Sequence, residues 1–365
     1  MSLRRWSARA GLVVAGLGLG AILSEGMARV VAPAAHADLL FNSPDASPAG
    51  LYVMDPQVLM VPAAGFTADV RSLGYHVPLR IDEHGVRGTG GRTGGWLAVG
   101  DSFTLSVQVT EQDTFAGRLA EALGSPVHNA GVDGYSTWQA LGRYRQLDQA
   151  LGVDTVLLTF FLGNDFQDND RFPHVLRQST QLVAGAPIPR QHLPASEALL
   201  LRYSYLFAHW RIWQRQRGLQ SGADPQRQGW LDELSIFSQE GKGRLAQLQG
   251  QTERALQGLR DEVRQRGDQL LVAVAPPAFQ VVPERMEATF SVVGLDAAQA
   301  DLDAPARALE GILQRLGIAS CDLVAPLRQA AQEGQVLYFT FDGHWTPEGH
   351  RVVSDALTAC AGRAW

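Results

Sequence analysis

Past residue 95 the chain alternates short apolar runs with longer stretches in which apolar positions recur every three or four residues. The short runs, at residues 96–99, 127–130, 155–161, 269–275 and 318–323, read as strands of a parallel sheet. The longer stretches between them, at 114–123, 137–151, about 244–266, 304–316 and 347 to about 361, read as the helices that cover it. Pro347 suits a first helical turn, and Thr346 suits its cap. Residues 38–95 have no helical period; apolar pieces broken by Pro and Gly predict an extended arm with short strands. The arm closes on the Gly-rich 88–95, which lacks the Lys-Ser/Thr tail of a phosphate loop and reads as a flexible joint. Residues from about 170 to 243 read as a helical insertion over one end of the sheet. Its aromatic stripe, Tyr203, Tyr205, Phe207, Trp210 and Trp213, suits either core packing or a wall for a sugar or acyl group.

The N-terminus reads differently. Arg4, Arg5 and Arg9 precede an uncharged run of fourteen residues from Ala10 to Leu23. Such a run is short for a full span, but the helix can continue past Glu25 and Arg29 with its last charges near the interface. We therefore expect residues 1–37 to be a signal anchor or, with cleavage near Ala35-His36-Ala37, a signal peptide. Either way the basic flank stays inside and the remainder is exported, with residues 96–365 in the periplasm or outside the cell; as an anchor, the segment holds them at the inner membrane.

Hydrophobic residues at 45% with 19% charged describe an ordinary globular chain, and a net charge of −6 without a basic run argues against nucleic acid as partner. Cys321 and Cys360 are too few and too far apart for a zinc ribbon; they are either one disulfide, in an exported domain, or two buried thiols.

Three strand ends carry suggestive residues. The first gives way to Gly100-Asp101-Ser102, where a serine can present its hydroxyl and its own N–H at the carboxyl edge of the sheet. The second leads to Gly134 and the third to Gly163-Asn164-Asp165, a backbone N–H and an amide side chain that can stabilise an oxyanion together with the Ser102 N–H. Near the C-terminus stands Asp342-Gly343-His344-Trp345. In an extended loop residues two apart point the same way, so Asp342 can hold one ring nitrogen of His344 and leave the other as a base toward Ser102. His350, inside the expected last helix, reads as structural. A metal cluster of Asp342, His344 and His350 lacks a further ligand nearby, and no cofactor is called for.

These blocks, in this order, resemble the SGNH/GDSL hydrolase superfamily over about residues 96–361. The longer strings Gly163-Asn164-Asp165-Phe166-Gln167-Asp168-Asn169 and Asp342-Gly343-His344-Trp345 sharpen the resemblance. It implies a flavodoxin-like three-layer α/β/α sandwich on a parallel sheet of about five strands. It also implies Ser102 as nucleophile, His344 as base beside Asp342, and Ser102, Gly134 and Asn164 as the oxyanion hole. Residues 81–88 are similar to the run preceding the catalytic domain in membrane-anchored bacterial members. The Asp-x-His-Trp spacing is similar to that of polysaccharide O-acetylation proteins. The expected activity is a serine esterase on acyl esters, acetyl first among them, of carbohydrate or cell-envelope substrates. A polysaccharide O-acetyltransferase with the same residues is the alternative, and a non-catalytic glycan-binding module a further one.

Overall fold

The computed structural model describes residues 3–31, 45–72, 74–179, 182–189, 192–224, 226–340 and 342–364. The chain begins with helix α1 (Leu3–Val31), followed by two antiparallel hairpins, β1 (Tyr52–Asp55) with β2 (Leu59–Pro62) and β3 (Thr67–Arg71) with β4 (His76–Arg80). Then comes a parallel sheet of β5 (Trp96–Gly100), β6 (Val127–Asn129), β7 (Thr155–Phe161), β8 (Gln269–Ala275) and β9 (Ala319–Asp322). Their spatial order, β6-β5-β7-β8-β9, is the flavodoxin-like one. Strand order therefore reverses at β5, and the crevice there lies directly above the chain leaving β5 and β7.

Helices follow in sequence: α2 (Ser102–Leu105), α3 (Phe115–Leu123), α4 (Thr137–Leu151), α5 (Asp165–Gln178), α6 (Ala195–Tyr203), α7 (Tyr205–Ser221) and α8 (Arg227–Ser235). The series continues with α9 (Lys242–Arg266), α10 (Ala278–Val281), α11 (Glu284–Val293), α12 (Ala304–Leu316), α13 (Val324–Gln332) and α14 (Pro347–Ala364). Strand alternation sorts the core into two layers. Leu97, Val99, Val156, Leu158, Leu270 and Val272 pack with α4, α9 and α12. Ala98, Leu157, Leu271 and Ala273 face the other way, onto α3, α13 and α14. Both faces of the sheet are thus covered, which is why its strands read as continuous apolar runs.

The expected elements are present with ends shifted by a residue or two: β6 stops at Asn129 and β9 covers Ala319–Asp322. Thr346 caps α14 by accepting from the Gly349 N–H at 3.1 Å. Cys321 of β9 and Cys360 of α14 form a disulfide. The cleavage site expected at Ala35-His36-Ala37 lies outside the described residues.

The arm is more firmly placed than its composition suggests. Leu51, Tyr52, Val58, Val70, Leu79 and Ile81 share a core with Leu105, Val132 and Tyr135 of the sheet domain. The Gly-rich 88–95 is held rather than loose: the Gly88 N–H donates to Arg80 O at 3.0 Å, the Gly94 N–H to Leu151 O at 2.6 Å, and Gly95 O accepts from the Asp154 N–H at 2.9 Å. Just before it, the buried Arg87 guanidinium donates to the carbonyls of Leu105, Ser106 and Val109, closing the loop behind Ser102. Burial lowers this arginine to about 10.

Candidate active site

Strand β5 ends at Gly100 with φ of 148°, and an added Cβ would meet Thr104 Oγ1 at 2.5 Å and Thr159 O at 2.7 Å. Only glycine can turn the chain here. Asp101 then caps the helical turn α2 by accepting from the Phe103 N–H at 2.9 Å. Ser102 opens that turn, so its own N–H has no partner within the helix. The turn lies close against β6: a Cβ on Gly131 would meet Leu105 N at 2.3 Å.

The histidine arrives from the far end of the chain. Trp345 is fully buried, edge-on to Phe103, Phe115 and His350, and anchors the segment that carries His344. The Phe339 N–H donates to His344 O at 2.9 Å, the Thr346 N–H to Leu337 O at 3.0 Å, and Arg285 bonds Phe339 O at 3.2 Å. The Asp342 Oδ1 accepts from the His344 N–H at 2.9 Å, fixing the turn between them.

The outcome is a pair spanning 242 residues of sequence: His344 Nε2 lies 2.8 Å from Ser102 Oγ. On the other ring nitrogen, Nδ1 is 3.6 Å from Asp342 Oδ1, an ion-pair distance too long for a formed hydrogen bond. Accordingly His344 Nδ1 and Asp342 Oδ2 are both buried without a hydrogen-bond partner. Burial works against protonating His344, but Asp342, with Asp101 and Asp133 beyond it, outweighs burial and raises the imidazole above its ordinary value. At 3.6 Å we ascribe the Asp342 contribution chiefly to its charge. His350, six residues on, has the opposite setting. It is buried with Nδ1 accepting from the Phe115 N–H at 3.1 Å, and burial holds it well below the ordinary range. This fits the structural role expected of it.

Two cavities meet at the Ser102–His344 pair. The larger, about 770 Å³, is lined by both together with Asn164, Asp342, Arg285 and, from the insertion, Arg215 and Trp230. The smaller, about 270 Å³ and mostly apolar, is walled by Leu51 and Val70 of the arm with Val107, Gln108 and Asp133. A still larger depression of about 1020 Å³ lies over the β3–β4 hairpin and holds neither Ser102 nor His344. Asn164, just ahead of α5, has a buried Oδ1 without a partner. Gly134 has φ of 68° with open space around it, but is not among the described residues lining either cavity at the pair; its neighbour Asp133 is. The described residues contain no group of three His, Cys, Asp or Glu side chains placed to hold a metal ion.

Sequence reasoning missed a cluster of three buried carboxyl groups, Asp101, Asp165 and Asp168, close to Ser102. Burial pushes Asp101 and Asp168 up to about 7 and Asp165 well above its usual value, and Asp101 raises both of the others further. All three sit in the quoted strings, but nothing in their spacing announced burial. Of the aromatic stripe, Trp210 and Trp213 are about half exposed and Tyr203 more so, which excludes core packing for them. The insertion residues that do reach the cavity are Arg215, Trp230, Glu233 and Leu234, with the Arg215 guanidinium 5.6 Å from the Trp230 ring centroid.

Comparison with known proteins places these residues in a wider context. Residues 227–364, which hold Asp342 and His344 but not Ser102, match the family described as SGNH hydrolase-like domain, acetyltransferase AlgX. A probable alginate O-acetylase AlgJ of Pseudomonas syringae pv. tomato is 34% identical over 105 residues, 28% of this chain and 25% of that protein. Its counterpart from Pseudomonas putida is 32% identical over 108 residues, 30% of this chain and 26% of that protein. The chain thus spans about a quarter of the length of the curated relatives it matches. Among solved structures, a putative lipolytic protein of the G-D-S-L family from Desulfitobacterium hafniense is 11% identical, covering 73% of this chain and 98% of its own, with a TM-score of 0.38. An acetylxylan esterase from Geobacillus stearothermophilus is also 11% identical, covering 75% and 97%, with a TM-score of 0.40.

Proposed function

We propose that this chain, SGNH hydrolase-like in fold and in the match of its C-terminal part, handles acetyl esters of carbohydrate through an acyl-enzyme on Ser102. The observation that carries the reading is the 2.8 Å approach of His344 Nε2 to Ser102 Oγ beside the Asp342 carboxylate. His344 takes the serine proton as Oγ attacks the ester carbonyl, and Asp342 stabilises the resulting imidazolium. The Ser102 N–H, the Asn164 amide and the Gly134 N–H are the proposed donors to the oxyanion. Collapse of the tetrahedral species returns the proton to the leaving alcohol and leaves the acyl group on Ser102.

The two cavities suit the two halves of such a reaction. The small apolar one has room for an acetyl methyl, and the larger, with Trp230 and Arg215 on its wall, has room for a sugar. Hydrolysis and transfer share the acyl-enzyme and differ in the acceptor that discharges it. The acetyltransferase family match and the O-acetylase relatives support transfer to a carbohydrate hydroxyl, in preference to the hydrolysis favoured by superfamily habit. We further propose that α1 anchors the chain: residues Gly11–Val31 are long and apolar enough to cross a membrane, which would hold the sheet domain on the exported side.

The test is mass spectrometry of the chain after incubation with an activated acetyl ester, with and without candidate oligosaccharides. An acetyl group on Ser102 that sugar discharges faster than water supports transfer; discharge by water alone returns the reading to an esterase. Identical labelling of wild type and Ser102→Ala would overturn the nucleophile.

A further inference from the structure

We infer that helices α6 and α7 lie on the lipid surface beside α1, so that the sheet domain rests against the membrane rather than hanging free on a tether. The inference rests on the anchoring proposed above, and begins with a length. The uncharged run from Ala10 to Leu23 makes about 21 Å of helix, short of a hydrocarbon core of about 30 Å. To cross, α1 must continue to about Arg29, which places Glu25 about 6 Å inside the exported boundary. A carboxylate there needs partners.

Helix α7 supplies them. Glu25 accepts from the backbone N–H groups of Tyr205 at 2.7 Å and Leu206 at 3.1 Å and from the Ser204 hydroxyl at 3.0 Å. Arg29 pairs with Glu25 at 3.2 Å, donates to Tyr203 O at 2.9 Å and sits over the Tyr205 ring. The start of α7 is therefore fixed at the depth of Glu25, in the layer where headgroups meet acyl chains on the exported side.

The neighbouring surface has the composition of a segment that lies in that layer. Leu199, Leu200 and Tyr203 on α6 are exposed, as are Leu206, Trp210 and Trp213, which fall on one stripe of α7. Trp and Tyr favour the boundary between hydrocarbon and water, where the ring is buried and the polar edge wet. Residues 195–221 carry four arginines against one glutamate, an excess that anionic headgroups attract. Arg217 stacks over Trp213 at 4.6 Å, leaving its charge at the edge of the apolar stripe. Since α7 also carries Arg215 into the large cavity, the same helix connects the lipid surface to the mouth of the site.

The test uses the full chain with Trp6→Phe, to silence the emission of the anchor itself, in vesicles of mixed phosphatidylethanolamine and phosphatidylglycerol with brominated acyl chains. Flotation first reports anchoring; tryptophan quenching then reports the patch. Flotation with quenching that falls by more than half in Trp210→Phe/Trp213→Phe supports the inference. Acyl labelling at Ser102 in that variant checks that it has folded. Flotation with quenching unchanged by the double substitution overturns the inference and leaves the anchor intact. Absence of flotation overturns both. Emission of Trp210 and Trp213 that responds to protein concentration but not to brominated lipid would assign the patch to a second copy of the chain, and also overturns it.

Discussion

The loop that ends at Trp345 and the first turns of α14 are only a few residues apart, and each buries a histidine in one aromatic cluster, His350 against Trp345 and His344 against Phe103, which itself packs on Trp345. They give the two imidazoles opposite characters. His344 has Asp342, Asp101 and Asp133 in its field and a serine hydroxyl at hand, so its protonated form is favoured despite burial. His350 has a backbone N–H pointing into its lone pair and the charges of Arg87 and Arg118 nearby, so it stays neutral. Burial is common to both; the neighbours decide. The base proposed at His344 and a ring that only accepts a hydrogen bond thus share one aromatic cluster.

Substitution should separate the two regions cleanly. His344→Ala and Ser102→Ala are each expected to lower acyl-enzyme formation by about 10²–10⁴-fold, read as the rate of ester turnover, with little change in melting temperature. An His350→Ala variant with the same loss of rate would erase the distinction. Next in size is the tie between α14 and β9. Replacing Cys321 and Cys360, 39 residues apart, should cost about 4 kcal/mol of unfolding free energy in denaturant titration, by the chain-entropy relation. A loss near zero would mean that α14 is held by its apolar face alone. His350→Leu leaves the buried Phe115 N–H without an acceptor and is expected to cost about 1–3 kcal/mol with turnover per folded molecule preserved.

The smallest effect is the most diagnostic. Because the folded pKa of His344 lies above 6.5, turnover should fall as pH drops through a value higher than that of an ordinary histidine. Asp342→Asn removes the largest favourable charge, and the acid limb should move to lower pH as the rate falls. An acid limb that stays in place in the variant would assign the shift to Asp101 and Asp133 instead.

How much of this was written in the sequence depends on length scale. The central strands, buried on both faces, are apolar at nearly every position, so the sheet was readable, and its order follows from the resemblance. Ser102, Asn164, Asp342 and His344 come together because strand ends and a late loop share one edge. The α2 turn is four residues long, less than any periodicity can register, yet it is what presents Ser102. Gly131, rather than Gly134, is the glycine against which backbone packs closely, a contact that leaves no mark on composition. The insertion was the least legible. Its tryptophans have a helical spacing that suits a core as well as an exposed face, and only coordinates tell which side they take.

The placement of Arg87 has a practical corollary for anyone shortening the chain. The Gly-rich run at 88–95 looks like the natural point at which to cut, leaving the sheet with Ser102, Asn164, Asp342 and His344. A protein begun there would lack the guanidinium that gathers the carbonyls of Leu105, Ser106 and Val109 directly behind the serine, leaving Ser106 O with only the Val109 N–H at 3.3 Å to hold it. Such a fragment could retain every reacting group and still present them on a slack hinge.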